Sequence, residues 1–317
     1  MNVFITRKLP EEAIHIIRVA ADADVWETDV PPSRTELADR IADSDGLLCL
    51  LTDKIDGSLL DSAPKLKVVS QMAVGYDNID VQACTARAIR VGNTPGVLTE
   101  TTADLAYALL LATSRRVVEA ERELRHGKWK TWRPMEWTGP DVHHSTLGIV
   151  GLGRIGFEMA RRAHGFEQTI LYTGRSHNPA AEQQFDARFV DMDYLLANSD
   201  FVSLHTPLNA ETRRMFGKVQ FEKMKRTSIL INTARGAVVN QAELVEALEK
   251  GLIAGAGLDV FEIEPLPADD PLLSLPNVVL LPHIGSASIA TRTRMAVLAA
   301  RNLVAGIKGE PLPHQVN

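Results

Sequence analysis

The chain has 317 residues, of which 45% are hydrophobic and 23% charged, and its net charge is −6. That balance is the one expected of a soluble globular protein and excludes a disordered, fibrous or membrane-embedded chain, while the negative charge argues against general nucleic-acid affinity. The length suits two domains that each bury a sizeable core.

The amino terminus MNVFITRKLP alternates apolar and polar residues and lacks the basic start, apolar stretch and small-residue cleavage site of a secretory signal, so it reads as a first strand. Up to about residue 98, strand-like runs (VFIT, GLLCLL, LKVVSQM, IRVGN) alternate with helical patterns (PEEAIHIIRVAA, SRTELADRIA, DVQACTARA), the rhythm of a parallel sheet. Two cysteines occur, Cys49 within LLCLL and Cys84 in a helical setting. Neither has a second cysteine or a histidine cluster nearby, so each reads as a buried hydrophobe, and a reducing cytoplasm fits. In the crossing NTPGVLTETTAD, Pro95 and Gly96 form a turn, and Thr101 with Asp104 resembles a capping box that opens a helix. That helix, ADLAYALLLATSRRVVEAERELR, is interrupted by Arg115 and Arg116 and cannot supply about 20 membrane-spanning residues, so it is expected to be buried or at an interface.

A second series begins near Thr146 with TLGIV, TILYT, FVSLHT, SILINT, IAGAGLDV and VVLLP, again separated by helical stretches. The last helical pattern, SIATRTRMAVLAARNLVAGIKG, is assigned back to the first domain, whose sheet needs a covering helix. The expected fold class is therefore α/β, with two doubly wound parallel-sheet domains, Rossmann-like or flavodoxin-like, and a cleft between them. The expected division is residues 1–98 plus 287–317 as a substrate-binding domain and 99–286 as a dinucleotide-binding domain.

Gly151-Leu152-Gly153-Arg154-Ile155-Gly156 follows the apolar strand TLGIV and precedes the helical FEMARRAHG. Gly151 would make the tight turn, Gly153 would let the backbone approach a pyrophosphate, and Gly156 would let the helix pack on the strand, with the anion on unpaired N–H groups at the positive helix end. The next strand, ILYT, ends about 20 residues on, where an NAD-type site places Asp or Glu on the ribose hydroxyls. Gly174, Arg175 and Ser176 stand there instead. A guanidinium and a hydroxyl bind a 2′-phosphate that a carboxylate would repel, so NADPH is the expected cofactor, with NADH kept open as a second.

Reduction of a carbonyl by hydride needs a group that holds the substrate, an acid for the oxygen and a partner that tunes the acid. Arg235 in ILINTARG, Glu264 in GLDVFEIEP and His283 in LLPHIGSAS each follow a strand, where ligands of open α/β sheets bind. Taken singly they read as a surface arginine, an acidic turn before Pro265 and a helix-capping histidine; at three strand ends beside a dinucleotide loop they read as a clamp and a proton-transfer dyad. The histidine spacings suggest no metal, and no GxSxG elbow is present.

AVGYDNID, NTPGVLTETTADLA, GIVGLGRIG, INTARGAVVNQAELVEAL, GAGLDVFEIEP and LPHIGSAS, in this order, closely resemble the D-isomer-specific 2-hydroxyacid dehydrogenase family over essentially the whole chain, and within it the glyoxylate/hydroxypyruvate reductases. The resemblance implies that Arg235 binds a 2-oxo acid and that Glu264 and His283 relay a proton. It implies substrate contacts from the backbone of Val74 and Gly75, from Leu51 and from Ser286, and cofactor contacts from Thr102, the 151–156 loop, residues 174–176, Thr206, Thr233, Asp259 and Gly285, with Asp259 on the nicotinamide carboxamide. Trp132, in WKTWRP, matches a tryptophan that in similar reductases enters the partner subunit's site, which implies a homodimer with the helix after Thr101 at its interface. The implied activity is the NADPH-dependent reduction of glyoxylate to glycolate and of hydroxypyruvate to D-glycerate. Reduction of 2-ketogluconate stays open, because the pocket residues do not separate a two-carbon from a six-carbon acid. A corepressor that senses NAD(H) shares the fold and the trio, but such proteins carry added surface features and an NAD-type strand end that this chain lacks.

Overall fold

The computed structural model describes residues 1–317. The chain divides into two compact units, one of Met1–Leu98 with Ser286–Asn317 and one of Thr99–Gly285.

The first unit is a five-stranded parallel sheet of β1 (Asn2–Ile5), β2 (Asp22–Val25), β3 (Gly46–Cys49), β4 (Val68–Gln71) and β5 (Arg90–Gly92), in the order β2-β1-β3-β4-β5. This is the flavodoxin-like order, whose switch point lies between the first and third strands. β3 and β4 are buried along their whole length because helices cover both faces. The helix Ile289–Lys308 packs on β3, β4 and β5 and on the helix Glu11–Arg18. Ser288 caps its start through the N–H of Thr291, and Gly309 ends it in the left-handed conformation. The sequence pattern does not show β2, since DADV is a half-exposed edge strand with no apolar run.

The second unit is a seven-stranded parallel sheet of β6 (Thr146–Val150), β7 (Thr169–Thr173), β8 (Arg188–Phe189), β9 (Phe201–Leu204), β10 (Ile229–Asn232), β11 (Gly255–Leu258) and β12 (Val278–Leu280), in the order β12-β11-β10-β9-β6-β7-β8. Counted within the unit this is the Rossmann order 3-2-1-4-5-6 with one further strand, and the order reverses between β6 and β9. Neighbouring residues of one strand enter different cores: Ile229 and Ile231 join Leu147, Ile149 and Tyr172 on one face, while Leu230 joins Val202, Leu204 and Phe221 on the other.

The long apolar helix is two helices, Thr99–Ser114 and Val117–Arg125, broken where Arg116 takes a left-handed backbone and forks onto Glu119. The first starts at Thr99, so Thr101 and Asp104 lie inside it and form no capping box; Asp104 instead binds Arg162. Its apolar face, including Ala106, Leu109 and Leu110, is spent within its own unit on β10, β11, β12 and the helix Arg154–Gly165. The exposed apolar side chains lie further on, at Val117, Leu124, Trp129, Trp132 and Met135. Cys49 and Cys84 are buried free thiols. No helix is long and apolar enough to cross a membrane.

Candidate active site

The glycine loop leaves β6 at the switch point. Gly151 has φ +95°, and a Cβ there would meet the His205 carbonyl oxygen at 2.8 Å, so the turn needs glycine both for its conformation and for its approach to the end of β9. A Cβ at Gly156 would lie 2.3 Å from the Gly151 oxygen, which is the close packing of helix on strand that the fingerprint demands. Gly153 caps the helix Arg154–Gly165 and faces open space. Its neighbour Leu152 is braced from a residue the sequence did not single out: Asn178 donates Nδ2 to the Leu152 oxygen (3.2 Å) while capping its own helix, and its N–H is held by Tyr172 Oη (2.8 Å).

Gly174, Arg175 and Ser176 form the exposed end of β7. The site a Gly174 Cβ would take lies 4.0 Å from the Leu152 N, so this strand end borders the glycine loop. Arg175 has no carboxylate partner. Just past the ends of β9 and β10, the hydroxyls of Thr206 and Thr233 are buried without a hydrogen-bond partner in the protein. Orphaned hydroxyls cost free energy unless something satisfies them; together with the open cradle at Gly153 they fit a dinucleotide. Next to Thr206, burial pushes the His205 imidazole down to about 4, so it is neutral at physiological pH.

The trio stands at the ends of β10, β11 and β12. His283 Nδ1 and Glu264 Oε2 are 2.6 Å apart, and Glu264 Oε1 accepts the N–H of Phe261 (2.9 Å). An ionised carboxylate only accepts, so the proton of the pair resides on Nδ1 and leaves Nε2 to exchange protons with a substrate. Burial alone would raise the Glu264 carboxyl, but the hydrogen bond and charge of His283, the Phe261 N–H and the charge of Arg235 outweigh it and hold the group below its ordinary value. His283 has a left-handed backbone, φ +54°, uncommon for a residue with a Cβ. Asp259 holds it there. The Asp259 carbonyl accepts the His283 N–H (3.0 Å), and its buried carboxylate accepts the N–H groups of Ile284 and Gly285, each at 2.7 Å. Burial raises the Asp259 carboxyl against the pull of those donors and of His283.

Arg235 begins the turn after β10, shaped by the buried side chain of Asn232, which accepts the Ala234 N–H and donates to the Arg235 oxygen, both at 3.0 Å. A Cβ on Gly236 would overlap the Phe261 carbonyl carbon at 1.8 Å, so the arginine turn rests directly on the backbone that feeds Glu264. Asn232 and Asn178 were legible only as strand-end and loop polar residues, with no spacing rule to mark them. Thr102, on the helix Thr99–Ser114, lies beside Gly285.

The remaining predicted residues are elsewhere. Leu51, Val74, Gly75 and Ser286 belong to the first unit. Leu51 sits in a turn past β3, and the N–H groups of Val74 and Gly75 donate to no group in the protein, leaving a pair of donors for an anion. Asn93 Nδ2 bonds the Val74 oxygen (2.8 Å). Trp132 is 75% exposed and joins none of these groups.

Residues 107–285 match the NAD binding domain of the D-isomer specific 2-hydroxyacid dehydrogenases. The chain belongs to this family. It is 54% identical to a glyoxylate reductase of Korarchaeum cryptofilum over all of its length and 96% of that protein. It is 48% identical to the human glyoxylate reductase/hydroxypyruvate reductase, over all of this chain and 98% of the human one. Among solved structures, the NADPH-dependent glyoxylate/hydroxypyruvate reductase of Sinorhizobium meliloti, in complex with NADP and malonate, superposes with a TM-score of 0.86 at 33% identity, covering 99% of this chain and 96% of that one. The family makes this chain a 2-hydroxyacid dehydrogenase with a nicotinamide-dinucleotide domain.

Proposed function

We propose that the protein reduces glyoxylate and hydroxypyruvate, to glycolate and D-glycerate, with NADPH as its preferred cofactor. The observation that carries this reading is the His283 to Glu264 pair, 2.6 Å apart, with the Arg235 turn built onto the same backbone. Arg235 binds the 2-oxo acid, and in the first unit the Val74 and Gly75 N–H groups are two donors suited to a substrate carboxylate. The first unit is thus the substrate-binding domain and Thr99–Gly285 the dinucleotide-binding domain.

The 151–156 loop binds the pyrophosphate, Arg175 and Ser176 bind the 2′-phosphate, and Thr102, Thr206, Thr233, Asp259 and Gly285 surround the ribose and nicotinamide. When bound, the reduced nicotinamide supplies hydride to C2. His283 Nε2 gives its proton to the oxygen on C2 as negative charge develops there, and Glu264 stabilises the imidazolium before that transfer. In the oxidative direction the neutral ring takes the proton back. Names carried by similar proteins support the substrate choice, and the NADPH dependence of the Sinorhizobium enzyme supports the cofactor choice. Trp132 and the exposed apolar side chains from Val117 to Met135 support a homodimer, which sedimentation at graded concentrations tests.

The deciding assay follows absorbance of NADPH or NADH with glyoxylate, hydroxypyruvate and 2-ketogluconate in turn. Turnover of the two short acids with NADPH favoured is the expected result. A higher kcat/KM for 2-ketogluconate reassigns the substrate, a preference for NADH overturns the cofactor assignment, and inertness toward every 2-oxo acid overturns the enzyme reading.

A further inference from the structure

Leu51 and the Val74–Gly75 pair follow two different strands, β3 and β4, yet one chain of amide side chains, buried at Gln71 and half-buried at Asn78, ties their turns together. The turn Leu50–Asp53 closes on itself through the Asp53 N–H to the Leu50 oxygen (3.1 Å). The Asp53 carboxylate, 3% exposed, accepts the Leu50 N–H (2.8 Å) and the hydroxyl of Thr6 from the end of β1. Asn78 then spans the turn from outside: its Nδ2 donates to the Leu50 oxygen (3.1 Å) and to the Asp53 oxygen (2.8 Å). Its Oδ1 accepts from Gln71 Nε2 (2.8 Å), and the same Nε2 reaches the Gly75 oxygen (3.3 Å). Gln71 is fully buried, and its Oε1 accepts the thiol of Cys49 (3.1 Å).

Both amide N–H groups of Asn78 and both of Gln71 are therefore occupied. A shift of either turn breaks a bond in a water-poor setting, where an unmet donor is expensive. The network faces inward, toward carbonyl oxygens, and leaves the Val74 and Gly75 N–H groups pointing at no protein acceptor.

We propose that Asn78 and Gln71, anchored on Asp53, are positioning residues that hold the Leu51 turn and the Val74–Gly75 N–H pair in one register. They thereby set affinity for the substrate carboxylate and discrimination at its far end, without touching hydride or proton transfer. The inference rests on the functional reading above, which gives those two turns to the substrate.

The test uses the full-length protein and reads KM and kcat for glyoxylate and hydroxypyruvate, the Kd of NADPH by fluorescence, and the Kd of oxalate, a two-carbon dicarboxylate that is not reduced, in the NADPH complex. Asn78→Ala should raise KM and the oxalate Kd about tenfold or more, shift the ratio of kcat/KM between the two acids, and leave the NADPH Kd within about twofold. Gln71→Met should do the same, and the double variant should add less than about twofold to the larger single effect, since both act through one relay. A scaffold role alone would lower the melting temperature and the active fraction with KM unmoved, and that result overturns the proposal, as do additive effects. If Asn78→Ala does not fold, Asn78→Asp, which keeps the acceptor for Gln71 but loses both donors, is judged by the same criteria. An inert wild type that still binds oxalate overturns the functional reading while leaving the oxalate comparison to judge this one, and a wild type that neither turns over nor binds oxalate overturns both.

Discussion

The two halves of the nucleotide-binding sheet are built on opposite terms. On one side of the switch point, at the ends of β10 to β12, Arg235, Glu264 and His283 are over-determined: a glycine with no room for a Cβ, a left-handed histidine, and a buried carboxylate engaged by consecutive N–H groups hold them. On the other side, at the end of β7, Arg175 is exposed and unpaired, on a segment anchored beyond it by His177, 2.8 Å from Glu182, and by Asn178. The difference separates two tasks. Proton transfer tolerates little displacement, so its groups are fixed by main-chain bonds before a substrate arrives. Recognition of a phosphate needs chiefly a charge that can reach, and a free guanidinium retains its full donor set for the ligand.

Four experiments press on this contrast. His283→Ala should lower kcat about a thousandfold while the NADPH Kd changes less than about twofold; a small loss would mean that the rigid half does not carry the chemistry. Gly174→Asp with Arg175→Ala should move the ratio of kcat/KM for NADPH over NADH about a hundredfold toward NADH, and retained NADPH preference would place the selector elsewhere. Arg175→Ala alone should weaken NADPH about tenfold and leave NADH kinetics untouched, with stability changed by less than about 0.5 kcal/mol because nothing in the protein rests on it; a large fall in melting temperature would contradict the open character of that strand end.

The smallest effect concerns Glu264 and pH. Its carboxyl lies below the ordinary value in the folded protein, so its ionised form contributes stability above the unfolded titration near pH ~4.3 and loses it as pH falls through the lowered folded value. The difference in melting temperature between wild type and Glu264→Gln should therefore stay level from about pH 8 to pH 5 and close below about pH 4. A difference that persists in acid would assign the stability to packing instead.

Much of this was readable without coordinates. Parallel sheets bury both faces, so β3, β4, β9 and β10 are buried along their whole length and read as largely apolar runs, whereas β2 and the two-residue β8 lie at sheet edges, half wet, and leave no such trace. The helix break at Arg116 was marked by charge, but the helix start at Thr99 was not, since the threonines there fit either a cap or a first turn. The chemistry-bearing residues announced themselves by following strands; the amides that brace neighbouring turns, Asn232, Asn178, Asn78 and Gln71, did not, because such a side chain is identified by what it bonds across space.

The sequence by itself determined the α/β class, the glycine loop, the strand end without an acid and the family, all of which depend on residue type at short range along the chain. Only the tertiary structure decided that Glu264 meets Nδ1 of His283, that Asp259 fixes the backbone of that histidine and that Gly236 lies against Phe261. Those contacts join residues from different strands. Their geometry is set by how the sheet twists and packs, and no local pattern encodes a distance through space.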